Sequence, residues 1–154
     1  MTVAIYPGTF DPVTLGHVDI AARALGVFEQ LIVAVAASAS KMPHYTQAER
    51  VTFCQTVWAA EPRVTVVAFD GLLVDVMQHH RVRHLVRGLR NGGDVCTEQQ
   101  LAAANQALYP MCDTLFFAAH AQHCHISSSL VREVSAMGGD VSSFVPACLV
   151  DQLR

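Results

Sequence analysis

The chain has 154 residues, of which 52% are hydrophobic, and a formal net charge of −3 at pH 7. This length fits a single domain with a sizeable core, which we place over residues 1–154. The acidic balance argues against a nucleic-acid-binding surface, and no apolar run approaches the roughly 20 residues that cross a bilayer, so neither nucleic acid nor a membrane is an expected partner.

Apolar runs and helical spacings alternate along the chain. The pattern predicts strands over residues 2–6, 31–37, 64–69, 82–86 and 114–118, and helices over 18–25, 46–58, 72–79, 94–108, 128–137 and 146–153. This alternation indicates an α/β fold, a doubly wound, Rossmann-like sheet of five parallel strands with helices on both faces. Because such sheets bind ligands at the carboxyl ends of their strands, we expect the site in the loops that follow them.

The first of these loops combines turn residues with hydrogen-bond donors. Pro7 and Gly8 are expected to end the first strand after Tyr6, and Gly16 lets a ligand approach the backbone where a helix opens near His17. Unpaired N–H groups and the positive end of the helix dipole make such a corner attractive to anions. The side chains that add donors here are Thr9, Thr14 and His17.

Four separated motifs resemble those of the nucleotidylyltransferase superfamily and, within it, the bacterial phosphopantetheine adenylyltransferase family. Residues 14–17, Thr-Leu-Gly-His, match the superfamily motif (His/Thr)-x-Gly-His. The other three motifs are residues 37–41 (Ala-Ser-Ala-Ser-Lys), 87–90 (Arg-Gly-Leu-Arg) and 126–133 (Ile-Ser-Ser-Ser-Leu-Val-Arg-Glu). The resemblance runs in order over nearly the whole chain. It implies reversible transfer of AMP from ATP to 4′-phosphopantetheine in coenzyme A biosynthesis, giving 3′-dephospho-coenzyme A and pyrophosphate.

The resemblance also implies which residues contact each substrate. Positions that match phosphopantetheine contacts are Thr9, Lys41, Leu73 and Arg87. Positions that match ATP contacts are Thr9, Phe10, His17, Gly88, Leu89, Arg90, Glu98, His123, Cys124, His125, Ile126, Ser127, Ser128 and Ser129. His17 matches the transition-state stabiliser, and we expect Lys41 and Arg90 to act beside it. A homohexamer with coenzyme A as a feedback ligand is the family's expected assembly.

Adenylyl transfer to a phosphate needs positioned charge rather than a general base. A phosphomonoester has a second pKa near 6, so the acceptor is mostly ionised at neutral pH. Because two anions must meet, we expect His17 to donate to the α-phosphate and Lys41 and Arg87 to hold the acceptor, without a covalent intermediate.

Arg87 and Arg90 are expected to find anionic partners in a ligand or a second subunit. Magnesium is expected with ATP, held by phosphate oxygens and water rather than by a protein metal site.

Two other classes of function remain open from the residues alone. Another small-phosphate nucleotidylyltransferase, such as one acting on nicotinate mononucleotide, would use the same corner. A non-catalytic adenine-nucleotide-binding protein would keep it without turnover, although the presence of His17, Lys41 and Arg87 together favours an enzyme. The loose metal-ligand spacing of His120, His123, Cys124 and His125 is a weaker alternative, since no second Cys/His pair completes a four-ligand site.

Cysteine usage and the start of the chain bear on its compartment. The five cysteines are scattered, with no Cys-x-x-Cys pair. No charged leader followed by an apolar signal segment precedes the first strand-like run. We therefore expect free thiols and a cytoplasmic protein.

Overall fold

The computed structural model describes residues 1–37 and 42–153, so the predicted Lys41 contact lies outside the described residues. The elements, in chain order, are β1 (Val3–Gly8), α1 (Leu15–Ala24), β2 (Gln30–Ala36), α2 (Gln47–Val57), β3 (Val64–Phe69), α3 (Leu73–His79), β4 (His84–Leu89), α4 (Gly92–Leu108), β5 (Asp113–Ala118), α5 (Ser128–Ala136) and a 3₁₀-helix (Ala147–Gln152).

The five strands form one parallel sheet in the order β3-β2-β1-β4-β5, with helices on both faces. On one face, Ile20 of α1, Phe53 of α2 and Val131 of α5 pack into the larger core cluster. On the other face, Met77 of α3 packs with Leu85 of β4. The doubly wound fold predicted from the sequence is confirmed. Across the described residues, no helix has the length and apolar content needed to span a bilayer.

β1 and β4 separate towards their carboxyl ends. β1 pairs with β2 as far as Gly8, whereas its pairing with β4 covers only Ala4 and Ile5. The prediction that Pro7 and Gly8 end the strand after Tyr6 is therefore wrong. The Pro7 carbonyl faces the β4 side, where it accepts a hydrogen bond from the Arg87 side chain. The N–H that proline lacks would point to the same side, so its absence costs no ladder bond.

Other element ends also differ from the sequence prediction. α1 begins at Leu15 rather than near His17, because Thr14 is its N-cap and its side chain accepts the His17 N–H. β4 runs to Leu89, which places residues 87–89 in the strand instead of after it. The last helix is a 3₁₀-helix. The capping box at the start of α2 is confirmed, since Thr46 and Glu49 exchange their two hydrogen bonds.

Candidate active site

A cavity of about 660 Å³ opens where β1 and β4 separate, at the carboxyl end of the sheet and at the point where the strand order reverses. Sequence-predicted residues on its wall are Thr9, Phe10, His17, Leu73, Arg87, Gly88, Arg90, Glu98, His123, Ile126, Ser127, Ser128 and Ser129. Leu89, Cys124 and His125 do not line it, and Cys124 and His125 are exposed. The fold therefore brings most of the predicted site residues together at one rim.

The hydrogen bonds of His17 fix the proton on its imidazole ring. The backbone N–H of Thr14 donates to Nδ1 of His17 at 3.0 Å, and the Thr14 hydroxyl lies 3.1 Å from the same nitrogen. Nδ1 must accept the N–H of Thr14, so the neutral ring carries its proton on Nε2. Nδ1 of His17 therefore completes the capping box of α1 by accepting the Thr14 N–H. Its Nε2–H is a hydrogen-bond donor on a residue that lines the cavity.

His17 is neutral at physiological pH. Burial lowers its pKa to about 4, and the nearby charges of Arg90 and Arg87 act in the same direction. The ring packs edge-on against Phe10, with 4.9 Å between ring centroids. Phe10 is itself buried and has a positive φ of 50°. The corner therefore holds a neutral imidazole in one orientation, between a cap and an aromatic ring.

The low pKa of His17 predicts a loss of stability in mild acid. The unfolded chain has the ordinary histidine pKa of about 6.5 and takes up this proton first. The contribution of neutral His17 to the free energy of unfolding is full above about pH 6.5. It falls as pH drops towards 4, by up to about 3 kcal/mol. Urea unfolding at pH 7.5 and 4.5 should show a smaller drop in His17→Asn, which cannot titrate, than in wild type. Equal drops in the two proteins would contradict the assignment.

Arg87 is held by a carboxylate from the same chain. Its Nε and Nη2 donate to the two oxygens of Glu98 at 2.7 and 2.6 Å, and its Nη1 donates to the Pro7 carbonyl at 3.1 Å. Burial acts to lower the pKa of Arg87, but the hydrogen bonds to Glu98 and the negative charges of Glu98 and Tyr6 together outweigh it, so that the pKa is raised. The expectation of partners from a ligand or a second subunit is thus corrected, because the folded chain supplies Glu98 from α4.

Arg90 follows the same pattern with a weaker contact. Its Nε lies 3.6 Å from the carboxylate of Asp94, which also accepts the Arg90 backbone N–H at 2.9 Å. Asp94 stands in the first turn of α4, and the Asn91 side chain caps that helix. The Arg90 side chain is 45% exposed, so it has more freedom to turn towards a ligand than Arg87 has.

The start of α5 contributes a cation that the sequence analysis did not single out. Ser127 caps the helix by accepting the Leu130 N–H, and the Ser128 hydroxyl donates to the Pro12 carbonyl. Arg132, one turn further along, also lines the cavity. Its guanidinium donates to the Asp11 carbonyl at 2.6 Å and to the Ser129 hydroxyl at 3.3 Å. The signal available in the sequence was its position four residues after Ser128, on the same helix face.

The cavity suits an anionic ligand better than a resident metal ion. Among the described residues, no group of three His, Cys, Asp or Glu side chains is placed to hold a metal ion. The carboxylates on the wall already have partners: Glu98 binds Arg87, Asp94 lies beside Arg90, and Asp11 lies 3.6 Å from Arg132 and accepts two backbone N–H groups. Because the Arg90 side chain is 45% exposed, its guanidinium can still meet negative charge, together with the positive end of the α1 dipole and the neutral imidazole donor of His17.

Comparison with known proteins gives consistent matches along the chain. The model of the cytidylyltransferase-like family matches residues 5–134. A phosphopantetheine adenylyltransferase of Nitrosospira multiformis is 45% identical over 153 residues, covering 99% of this chain and 93% of that protein. The protein of the same name from Polynucleobacter necessarius is 49% identical over 145 residues, covering 94% and 88%. That of Limosilactobacillus reuteri is 42% identical over 154 residues, covering 100% and 89%.

Proposed function

The chain belongs to the phosphopantetheine adenylyltransferase family of nucleotidyltransferases, and from this membership and the site geometry we propose that it transfers AMP from ATP to 4′-phosphopantetheine. The products are 3′-dephospho-coenzyme A and pyrophosphate, and the reaction is reversible. The observation that carries the proposal is His17, a neutral Nε2–H donor at the start of a helix, on the same cavity wall as Arg87 and Arg90. Identification of dephospho-coenzyme A by mass after incubation with both substrates tests the assignment.

The proposed reaction is a single in-line displacement. An oxygen of the acceptor phosphate bonds to the α-phosphorus of ATP as the bond to the bridging oxygen breaks, and the electron pair leaves with pyrophosphate. The ionised acceptor needs no base, so the site has to bring two anions together and stabilise the charge on the α-phosphate oxygens. His17 donates to one of these oxygens, and Arg90 adds positive charge nearby.

We assign the acceptor to the Arg87 side of the cavity. Thr9, Leu73 and Arg87 lie on this wall, and Lys41 is proposed to join them from the family match. A smaller cavity of about 160 Å³ adjoins this side and shares Leu73, Arg87 and Glu98. Its other lining residues are Leu85, Leu101, Ala102, Asn105 and Thr114. Its four apolar side chains, with the Asn105 amide and the Thr114 hydroxyl, suit a pantetheine arm.

ATP is assigned to the His17 side, between the start of α1 and the start of α5. A Cβ on Gly16 would meet the protein only at ordinary contact distance, 3.5 Å from the Thr14 hydroxyl oxygen. Packing within the protein therefore does not require glycine at this position, and we infer that the missing side chain leaves room for a triphosphate in the cavity. Magnesium bound to that triphosphate would neutralise part of its charge. The protein's share is to hold the complex with Arg90, Arg132 and the serine hydroxyls, because the wall carboxylates are already paired.

We further propose a cytoplasmic homohexamer that binds coenzyme A as a feedback ligand. Assembly is supported by the α4 side of the molecule, where no residue of the 17-residue helix is buried. Apolar side chains exposed on α4, β5 and the segment between them are Leu101, Leu108, Met111 and Phe116. A surface of this kind on a small chain favours burial against another subunit.

Substitution of Leu108 tests this interface. Light scattering at micromolar concentration should report six chains for wild type and a smaller species for Leu108→Glu, because a buried unpaired carboxylate opposes association. Val27→Glu is the matched control, since both side chains are 57% exposed and Val27 follows α1 instead. A monomeric wild type would refute the assembly, and an intact Leu108→Glu hexamer would refute the interface.

A further inference from the structure

Arg50 is a fully buried guanidinium outside the cavity. It lies on α2 with 0% of its surface exposed. Its donors bind four backbone carbonyls: Nε donates to Tyr45 at 3.0 Å, Nη1 to Thr9 at 2.6 Å and to Ala36 at 2.7 Å, and Nη2 to Ala37 at 3.4 Å. One side chain therefore ties together three parts of the backbone.

These carbonyls belong to the acceptor side of the site. Thr9 and Ala36 both line the cavity. Ala37 precedes residues 38–41, which carry Lys41, and Tyr45 follows them. Arg50 thus fixes the Thr9 loop relative to both flanks of the Lys41 segment. Neither the start of α1 nor the start of α5 is among its partners.

Asp11 anchors the same segment from the opposite direction. Its buried carboxylate accepts the backbone N–H of His44 at 2.7 Å and that of Tyr45 at 2.9 Å. Burial lowers the pKa of Arg50, and the charge of Asp11 opposes that shift. The guanidinium stays charged because its pKa in water lies far above neutral pH. Two buried charges of opposite sign therefore hold the flank that follows Lys41.

Helix attachment alone does not account for a buried charge at this position. Removing a guanidinium from water is costly, and α2 already buries Phe53 and Cys54 against the core. A neutral amide also connects α2 to backbone carbonyls nearby, since Gln47 donates to the Val35 and Phe69 carbonyls where β2 and β3 end. What distinguishes Arg50 is its planar fork, which sets the relative positions of several carbonyls at once.

We propose that Arg50 is a positioning residue for the acceptor, one that holds the backbone of Thr9, Ala36 and Tyr45 in the geometry for phosphopantetheine phosphate. This inference rests on the proposed function. Because a misplacement of about 1 Å can cost on the order of 10² in rate, loss of the fork acts on acceptor binding and on turnover. Thr9 also matches an ATP contact, but His17, Arg90 and Ser127 are not among the hydrogen-bond partners of Arg50, so ATP binding should change less than acceptor binding.

The test compares Arg50→Lys with Gln47→Met. Lysine keeps the charge but cannot reach all the carbonyls, so KM for phosphopantetheine should rise at least about tenfold and kcat should fall, with the Kd for ATP within about twofold of wild type. Gln47→Met also removes two hydrogen bonds to carbonyls at the end of the sheet, yet should leave both substrates nearly unaffected. Thermal unfolding of each variant shows that the comparison is made on folded protein.

One further variant keeps the inference decidable if Arg50→Lys does not fold. Asp11→Asn weakens the second anchor and should also raise KM for phosphopantetheine. The Kd for ATP should change less, because Arg132 keeps its hydrogen bond to the Asp11 backbone carbonyl and loses only an ion pair of 3.6 Å.

The outcomes separate the two proposals. A wild-type protein that does not use phosphopantetheine would refute the proposed function. An active wild type in which Arg50→Lys affects both substrates equally, or no more than Gln47→Met does, would show that Arg50 is purely structural and refute this inference alone.

Discussion

His17→Ala should lower kcat on the order of 10² to 10³ while changing ATP affinity far less. A donor aimed at the α-phosphate gains most as charge shifts onto its oxygens, and only interactions that strengthen in the transition state raise the rate. Loss of one donor in comparable oxyanion sites costs about 3 to 4 kcal/mol. Single-turnover rates with saturating substrates, together with ATP titration, separate the two effects.

His17→Asn separates the catalytic donor from the helix cap. The amide oxygen that this substitution introduces can take the place of Nδ1 and accept the Thr14 N–H, whereas the Nε2–H is lost. We expect the same loss of kcat as in the alanine variant, with less loss of stability. His120→Ala is the control, because it removes a histidine that contacts Asp19 away from the cavity wall. If His17→Ala kept kcat within about threefold while ATP binding collapsed, His17 would be a ground-state ligand and Arg90 the next candidate.

Arg87→Ala should lower kcat/KM for phosphopantetheine on the order of 10² or more. The change removes a charge from the acceptor side and leaves Glu98, which accepts two bonds from Arg87, facing an incoming anion. Truncating one partner of a buried charge pair costs about 2 to 5 kcal/mol, much of it from the charge left behind. Steady-state kinetics with each substrate varied in turn should show the larger defect for phosphopantetheine.

A double variant distinguishes lost attraction from new repulsion. Arg87→Ala combined with Glu98→Gln should recover about tenfold of the lost kcat/KM, because the uncompensated carboxylate is gone. Arg63→Ala is the matched control, since Arg63 also makes a forked pair, with Glu61, on the surface away from the cavity. A defect in Arg87→Ala that is equal for ATP and phosphopantetheine would contradict the assignment of Arg87 to the acceptor.

Local patterns in the sequence were enough to predict the fold and most of the residues of the site. Buried parallel strands read as unbroken apolar runs, and the Thr46 capping box marked the start of a helix. A proline normally argues against a central strand, so the extension of β1 through Pro7 was not predictable. It depends on β4 diverging after Ile5, which is a property of the assembled sheet.

The partners of the charged residues were not predictable, because they depend on tertiary packing. Glu98 is eleven residues from Arg87, and the two meet only because α4 packs back against β4. Arg50 reads in the sequence as one more charged residue in a polar helix, although it is fully buried. Likewise, His123 lines the cavity while Cys124 and His125 do not, because the chain turns there before α5.

Pyrophosphate release by the purified protein with ATP and magnesium, with and without an acceptor, tests the proposed transfer most directly. We expect release with phosphopantetheine, in a one-to-one ratio with dephospho-coenzyme A, and little release with nicotinate mononucleotide or without an acceptor. Because the phosphate attacks ATP directly, no burst should precede addition of the acceptor. Absence of release with phosphopantetheine would refute the proposed reaction, and a stoichiometric burst with ATP alone would refute direct attack by the acceptor.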